Sequence, residues 1–245
     1  DPRYPGLLLQ PDSRPISQEQ LASEVKSIYA GLTMVETKCI HVDRPQASQA
    51  QDSAVADSNW QALIAFHRTL LHEHHDFFLA SQHPSASSAL RCLASKFSMP
   101  ACIWKHGMHS FLELLRRRIP ENIDYMLAFI YLAYRMMALL YETVPAFEDT
   151  WIECLGDLGR YRMAIEDEDL RDRELWAGVA RSWYSKAADK NPSVGRLCYH
   201  LVILARPNAL QKLYDFARSF ALRISSLSTR RTQSLAWIHV RAIDP

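Results

Sequence analysis

Three groups of side chains in this chain of 245 residues have types and spacing that suggest chemistry: "HEHH" at 72–75, "RRR" at 116–118, and the arginines of "CLGDLGRYRMAIED" at 154–167. The histidine run would suit a metal, but it lacks the HExxH frame, since His72 and His75 are three apart and His74 falls on an apolar side. His106 and His109 are one helical turn apart with no cysteine or carboxylate pattern beside them, so structural histidines are expected there too. The arginine run precedes Pro120 at a helix carboxyl end, where the helix dipole favours cations. Capping explains it without nucleic acid, and contact with RNA stays open. No Gly-rich phosphate loop, nucleophile elbow or framed carboxylate pair is found. The expectation is a binding protein and not an enzyme, with no metal and no cofactor.

The third group raises a different question, because Gly156 and Gly159 stand inside a helical pattern where each costs about 1 kcal/mol relative to alanine. Close approach of a paired helix accounts for Gly156. On a helical wheel, Trp151, Leu155, Leu158, Tyr161 and Ile165 share one arc, and Arg160 points almost opposite, beside Glu153 and Asp157. Arg160 is therefore either part of a solvated, salt-bridged face or, in a helical solenoid, part of a ligand groove opposite the packing seam. Arg162 falls within the apolar arc and must snorkel out or join an internal polar network.

The elements that position these residues are all helical. Only 7 glycines and no clear alternating β-branched runs argue against strands, and 48% hydrophobic content is enough to fill a core. A capping box of Ser17 and Gln20 opens the first helix, with Leu21, Val25, Ile28, Leu32, Val35 and Cys39 on one face. Residues 43–57 read as a polar loop. A second helix from about Ser58 carries Trp60, Leu63, Ile64, Leu71 and Phe78. Pro84 and Pro100 bracket a short helix, and another from about Ala101 ends at Pro120. "IDYMLAFIYLAYRMMALLY", 123–141, is apolar on nearly all sides, yet it contains Asp124 and Arg135 and is flanked by amphipathic helices, so it reads as a central buried helix and not a membrane span. Four further helices are expected at about 148–166, 172–190, 194–205 and 209–223, as two antiparallel hairpins.

Those hairpins have repeat character. Leu155-Gly156, Ala180, Tyr184, Ala187 and Pro192 follow the tetratricopeptide pattern with about a dozen inserted residues. A second, weaker unit has Leu201, Leu204, Leu213 and Ala217 stacking on the first. The whole reads as an antiparallel helical bundle or solenoid of about nine helices, one domain over 1–223, with 224–245 a tail or the start of a further helical region. Lys+Arg 28 against Asp+Glu 27 leaves a net charge of +1, without the basic excess of non-specific nucleic-acid binding. Five scattered cysteines with no CxxC spacing point to a reducing compartment, cytoplasmic or nuclear. A beginning at Asp1-Pro2, without methionine or a secretory pattern, suggests a piece or processed form of something longer.

"CLGDLGRYR", followed by a long hairpin and "YHLVILARPNALQKLYDFARSFA", resembles the SMG and Est1 family, adaptors of nonsense-mediated mRNA decay and of telomerase, in which a Gly-Asp-x-x-Arg-Tyr-Arg helix precedes a Gln-Leu-Ala-Ile-Leu-Ala helix. The Gly-Asp-x-x-Arg-Tyr string also occurs in 14-3-3 proteins. The likeness is most specific over 150–222, and from 17 to 141 it rests on helix order and on "WQALIAFHR". It implies a 14-3-3-like domain with tetratricopeptide-type helices behind it, whose pocket binds a phosphoserine or phosphothreonine on a partner such as the up-frameshift helicase.

Carried over, the pocket arginine is Arg160, with Tyr161 beside it as a phosphate hydrogen-bond donor; a planar guanidinium can engage two phosphate oxygens at once. The basic partner on the earlier helix is His67 by alignment of "AF" plus a basic residue. Periodicity puts His67 within the apolar stripe and Arg68 on its flank, which favours Arg68. Arg162 and the pair Tyr199 and His200, which stand where relatives have Asn-Gln, are candidates for peptide contacts. Two other readings stay open: direct DNA or RNA binding in an Est1-type role, and a tetratricopeptide scaffold without phosphate recognition. The resemblance also implies pairing with a second copy or with a related chain.

Overall fold

The computed structural model describes residues 16–48, 57–167, 169–205 and 208–229, and all their regular structure is helical. The long elements are α1 (Gln18–Ser48), α2 (Asp57–Ser81), α7 (Ile123–Thr143), α8 (Glu148–Ala164), α9 (Leu170–Lys190), α10 (Gly195–Leu204) and α11 (Ala209–Thr229). Between α2 and α7 lie the single turns α3 (Ser88–Arg91), α4 (Leu93–Lys96) and α5 (Met99–Cys102), a π-helical stretch Ile103–His109 and α6 (Ser110–Arg116). A 3-10 turn, Pro145–Phe147, joins α7 to α8.

The capping box forms as expected: the Gln20 N–H donates to Ser17 Oγ at 3.1 Å, and the Ser17 N–H reaches back to Gln20 Oε1 at 3.5 Å. Helix α1 continues to Ser48, past the start of the loop expected at 43–57, and residues 49–56 lie outside the described residues. Asp43 helps to hold this extension, its Oδ1 facing His67 of α2 at 3.4 Å. Helix α11 similarly runs on to Thr229, beyond the expected end at 223, and the rest of the 224–245 tail lies outside the described residues.

The apolar stripes read from the sequence meet in a large core drawn from α1, α2, the π segment, α6, α7 and α8, which includes Leu32, Trp60, Phe78, Phe111, Phe129 and Trp151. Burying each such side chain contributes about 1.5–3 kcal/mol. Helix α7 is long and apolar enough to cross a membrane by length and composition. Here it packs among α2, α6 and α8, burying Met126, Phe129, Ile130, Ala133, Met136, Met137 and Leu140. A second, smaller core joins α8, α9 and α10 through Ile152, Ala180, Tyr184, Ala187 and Leu197. Helix α8 thus has a core on each side. On the outside, α11 packs on α10 and leaves Leu210, Leu213, Tyr214, Phe216 and Phe220 exposed.

The arginine face of α8 as candidate functional site

Gly156 and Gly159 are where α9 comes closest to α8. A Cβ on Gly156 would lie 2.8 Å from Tyr184 Cε1, and one on Gly159 would lie 3.3 Å from both the Cβ and the backbone nitrogen of Ala180. The close-packing explanation of Gly156 therefore holds, and it extends to Gly159.

This approach changes the setting of Arg160. The sequence places it off the core stripe on an open face; in the structure its side chain keeps only 9% of its exposure. Helix α9 covers the face opposite the main core, a neighbour that a wheel drawn for α8 alone does not include. Arg160 Nη2 donates to Asp157 Oδ1 at 3.2 Å, one turn earlier on the same helix, and the Tyr184 hydroxyl donates to the same oxygen. Nε of Arg160 is buried without a hydrogen-bond partner. Burial opposes the charge on the guanidinium, but Tyr184 and Asp157 more than compensate and keep it a cation. Glu153, expected beside Arg160, instead binds Arg196 of α10 through two oxygens at 2.7 Å.

Tyr161 points into the other core. Its hydroxyl donates to Glu113 Oε1 at 2.9 Å, and Arg116 donates to the same carboxylate, with Nη2 2.7 Å from Oε2. Burial works against ionising Glu113, yet the hydrogen bonds from Arg116 and Tyr161 prevail and hold the carboxyl below its usual range. His109, one turn before Glu113, has its ring 6.5 Å from that of Tyr161 and its Nε2 buried without a partner. Burial favours the neutral form of His109 and outweighs the opposing pull of Glu113 and Asp157, and the charges of Arg116 and Arg160 add to it.

The structure therefore gathers Arg160, Tyr161, Asp157, His109, Glu113 and Arg116. The last three were missed as site residues, although their spacing of four and then three puts them on one helix face. Arg116, expected only as part of a helix-end cation run, is the second guanidinium of this group, and its side chain is 38% exposed.

Neither earlier-helix candidate joins them by a contact. His67 is completely buried, with Nδ1 donating to the Gly107 carbonyl at 3.0 Å and its ring stacked on Phe111 at 4.3 Å. It is a core histidine with no face left for a phosphate, held by the Gly107 carbonyl of the π-helical stretch. Arg68 is exposed on α2. Arg162 takes the internal alternative: Nη1 donates to Glu166 Oε2 at 2.6 Å, and its guanidinium lies 5.8 Å from the centre of the Trp176 ring. Tyr199 is exposed on α10, and His200 stacks on Tyr184 at 4.7 Å and 5°. His74 of the "HEHH" run caps Leu70 O from within the core, and among the described residues no three His, Cys, Asp or Glu side chains form a metal-holding group.

No family model, curated protein or solved structure matches this chain. What the site can do follows from its own groups. Two guanidiniums and a buried phenol are each tied to a carboxylate, so the cluster is close to neutral at rest. Among these groups Arg116 is the one open to solvent, and a dianion meeting it there would compete with Glu113 for a donor that is already oriented.

Proposed function

We propose that this chain is an adaptor domain of SMG/Est1 type, 14-3-3-like with tetratricopeptide-type hairpins, that binds a phosphoserine or phosphothreonine segment of a partner protein and performs no catalysis. The observation that carries the reading is that two guanidiniums neighbour the Tyr161 phenol, Arg160 as the preceding residue of α8 with a buried and unpartnered Nε, and Arg116 through the Glu113 carboxylate that both it and the Tyr161 hydroxyl donate to. Charge-assisted hydrogen bonds to a phosphate contribute about 1.5–3 kcal/mol each, so loss of one guanidinium weakens binding by at least about tenfold. The motif order over 150–222 supports a decay-type or telomerase-type adaptor role by resemblance, in the cytoplasm or nucleus, and the near-neutral charge weighs against RNA or DNA as the first partner.

Calorimetric titration with a degenerate phosphoserine peptide library and its unphosphorylated counterpart tests this, using wild type, Arg160→Glu and, because Arg160 is buried, the more exposed Arg116→Gln. Binding that requires phosphate and is lost in both variants is the expected result. Equal binding of both libraries, or no effect of either substitution, would overturn it. The Arg160–Asp157 pair and the exposed apolar face of α11 favour a second reading in that event: a repeat scaffold that binds unmodified helices.

A further inference from the structure

Away from the arginine face, α1, α5 and the turn before α5 line a half-open cavity of ≈ 210 Å³, bordered in part by Tyr29, Thr33, Glu36, Phe97, Met99 and Cys102. It is smaller than the roughly 300–1,000 Å³ clefts that hold drug-sized ligands, so it suits a group the size of one side chain. One wall is aromatic: the Tyr29 and Phe97 rings stack with centroids 5.2 Å apart, and Phe97 is exposed at the rim. The backbone beside that wall is unusual. Ser98 has φ 51°, a left-handed conformation rare for a residue with a side chain, and the turn it makes sets Phe97 and Met99 on the cavity from either side.

The polar end is a carboxylate. Glu36 is half-buried, and the one cation-forming group in ion-pair range of it among the described residues is His106, whose Nε2 is 4.0 Å away. Burial and the neighbouring Lys105 both push His106 towards its neutral form, so it adds little positive charge near neutral pH. Burial raises the Glu36 carboxyl, and Lys105 only partly offsets this, as expected of an acid short of a partner. Thr33 and Thr37 do not help, since their hydroxyls donate to the carbonyls of Ala30 and Thr33. Lys96 lies 5.9 Å from the centre of the Phe97 ring, so that ring already has a cation near it.

We propose that this cavity receives one alkyl-guanidinium or alkyl-ammonium group, with the charge meeting Glu36 and the alkyl stem lying against Tyr29, Phe97 and Met99. Aromatic walls with a carboxylate at the end are the arrangement that binds such amphipathic cations, because the carboxylate takes the charge while the rings remove the stem from water. The same chemistry is carried by an arginine or lysine side chain of a partner protein and by a free small amine.

The test uses butylguanidinium and butylammonium, followed by backbone and methyl NMR of the whole chain, with butylurea as the neutral isostere. Saturable shifts at Thr33, Glu36 and Cys102 with both cations, at a dissociation constant on the order of 1 mM, are expected. Glu36→Gln should weaken binding by about tenfold or more with an unchanged melting temperature. Phe97→Ala, a second variant at the exposed rim, should weaken it by about threefold. Equal binding of butylurea, no loss in Glu36→Gln, or absence of saturable shifts would overturn the proposal. A blocked arginine peptide that binds more tightly than butylguanidinium identifies the source as a protein segment; equal binding identifies a free small cation, and either result upholds the site.

Discussion

Alanine at Gly156 tests the packing of the arginine face directly. The new Cβ would lie 2.8 Å from Tyr184 Cε1 and 3.0 Å from Cδ1 and Cζ, closer than a real Cβ contact allows. The ring cannot swing away, because its hydroxyl is tied to Asp157 and its face is stacked on His200. Replacing glycine in a helix interior by alanine gains about 1 kcal/mol, whereas forcing a methyl into a filled contact typically costs about 1–3 kcal/mol plus any helix displacement. With the helices pinned at both glycines the steric term prevails, and a net loss of up to about 2 kcal/mol is expected, a fall in Tm of up to about 8 °C for a chain of this size. Gly178 of α9 supplies the control, since a Cβ there meets nothing within 4 Å. Gly178→Ala should gain about 1 kcal/mol, and Gly159→Ala, at 3.3 Å from the Ala180 backbone, should fall between the two. Thermal and urea unfolding of the three variants measures the order. If Gly156→Ala is as stable as Gly178→Ala, the close approach of α8 and α9 is not as described, and neither is the burial of Arg160.

Three more outcomes can be checked on the same protein. His74 and His200 are held by burial at pKa values of about 4, against 6.5 for a free side chain. The unfolded chain therefore takes up protons that the folded chain refuses between those values, and stability falls as pH falls from about 6.5 to about 4. Urea denaturation at stepped pH should show this fall, with a shallower slope in His200→Gln; a flat profile would contradict the burial of both rings. Among the thiols, Cys92 is exposed, whereas Cys39, Cys154 and Cys198 are buried, and burial lifts Cys39 to about 12. A colorimetric thiol assay should modify Cys92 first and the three buried thiols only on unfolding. At Ser98, with φ 51°, glycine should be neutral or slightly stabilising, while Ser98→Val should cost about 2 kcal/mol in a thermal melt.

The helical fold was legible because its punctuation is local. Ser17 and Gln20 mark a start, Pro84 and Pro120 bound the run of short turns while Pro100 sits in the first turn of α5, and apolar spacing marks the faces of α1, α2 and α8. The stripe also placed His67 correctly inside the bundle, in preference to Arg68. The misreading of Arg160 has a definite cause. A wheel assumes one buried arc, but α8 is covered on two sides, and the signals of the second side were Ile152, Gly156 and Gly159, two of them residues with no side chain to count as apolar. The π-helical stretch was illegible for another reason: residues 103–109 carry nothing that distinguishes it from an α-helix, and its contact with His67 through the Gly107 carbonyl depends on packing from a distant segment. The group of His109, Glu113 and Arg116 had a readable spacing but no readable partner, because Tyr161 lies 48 positions from Glu113.

Helix α8 belongs to both cores, and this limits how the chain can be divided. A cut before Glu148 strips the main core of Trp151, Leu155 and Leu158, and a cut after Ala164 leaves Ile152 without Ala180 and Tyr184. Either cut opens one of the two interiors. Strain applied to the outer hairpin of α10 and α11 therefore has a covalent and packed route through one rod into the bundle of α1, α2 and α7, so a load on one flank is borne by the other.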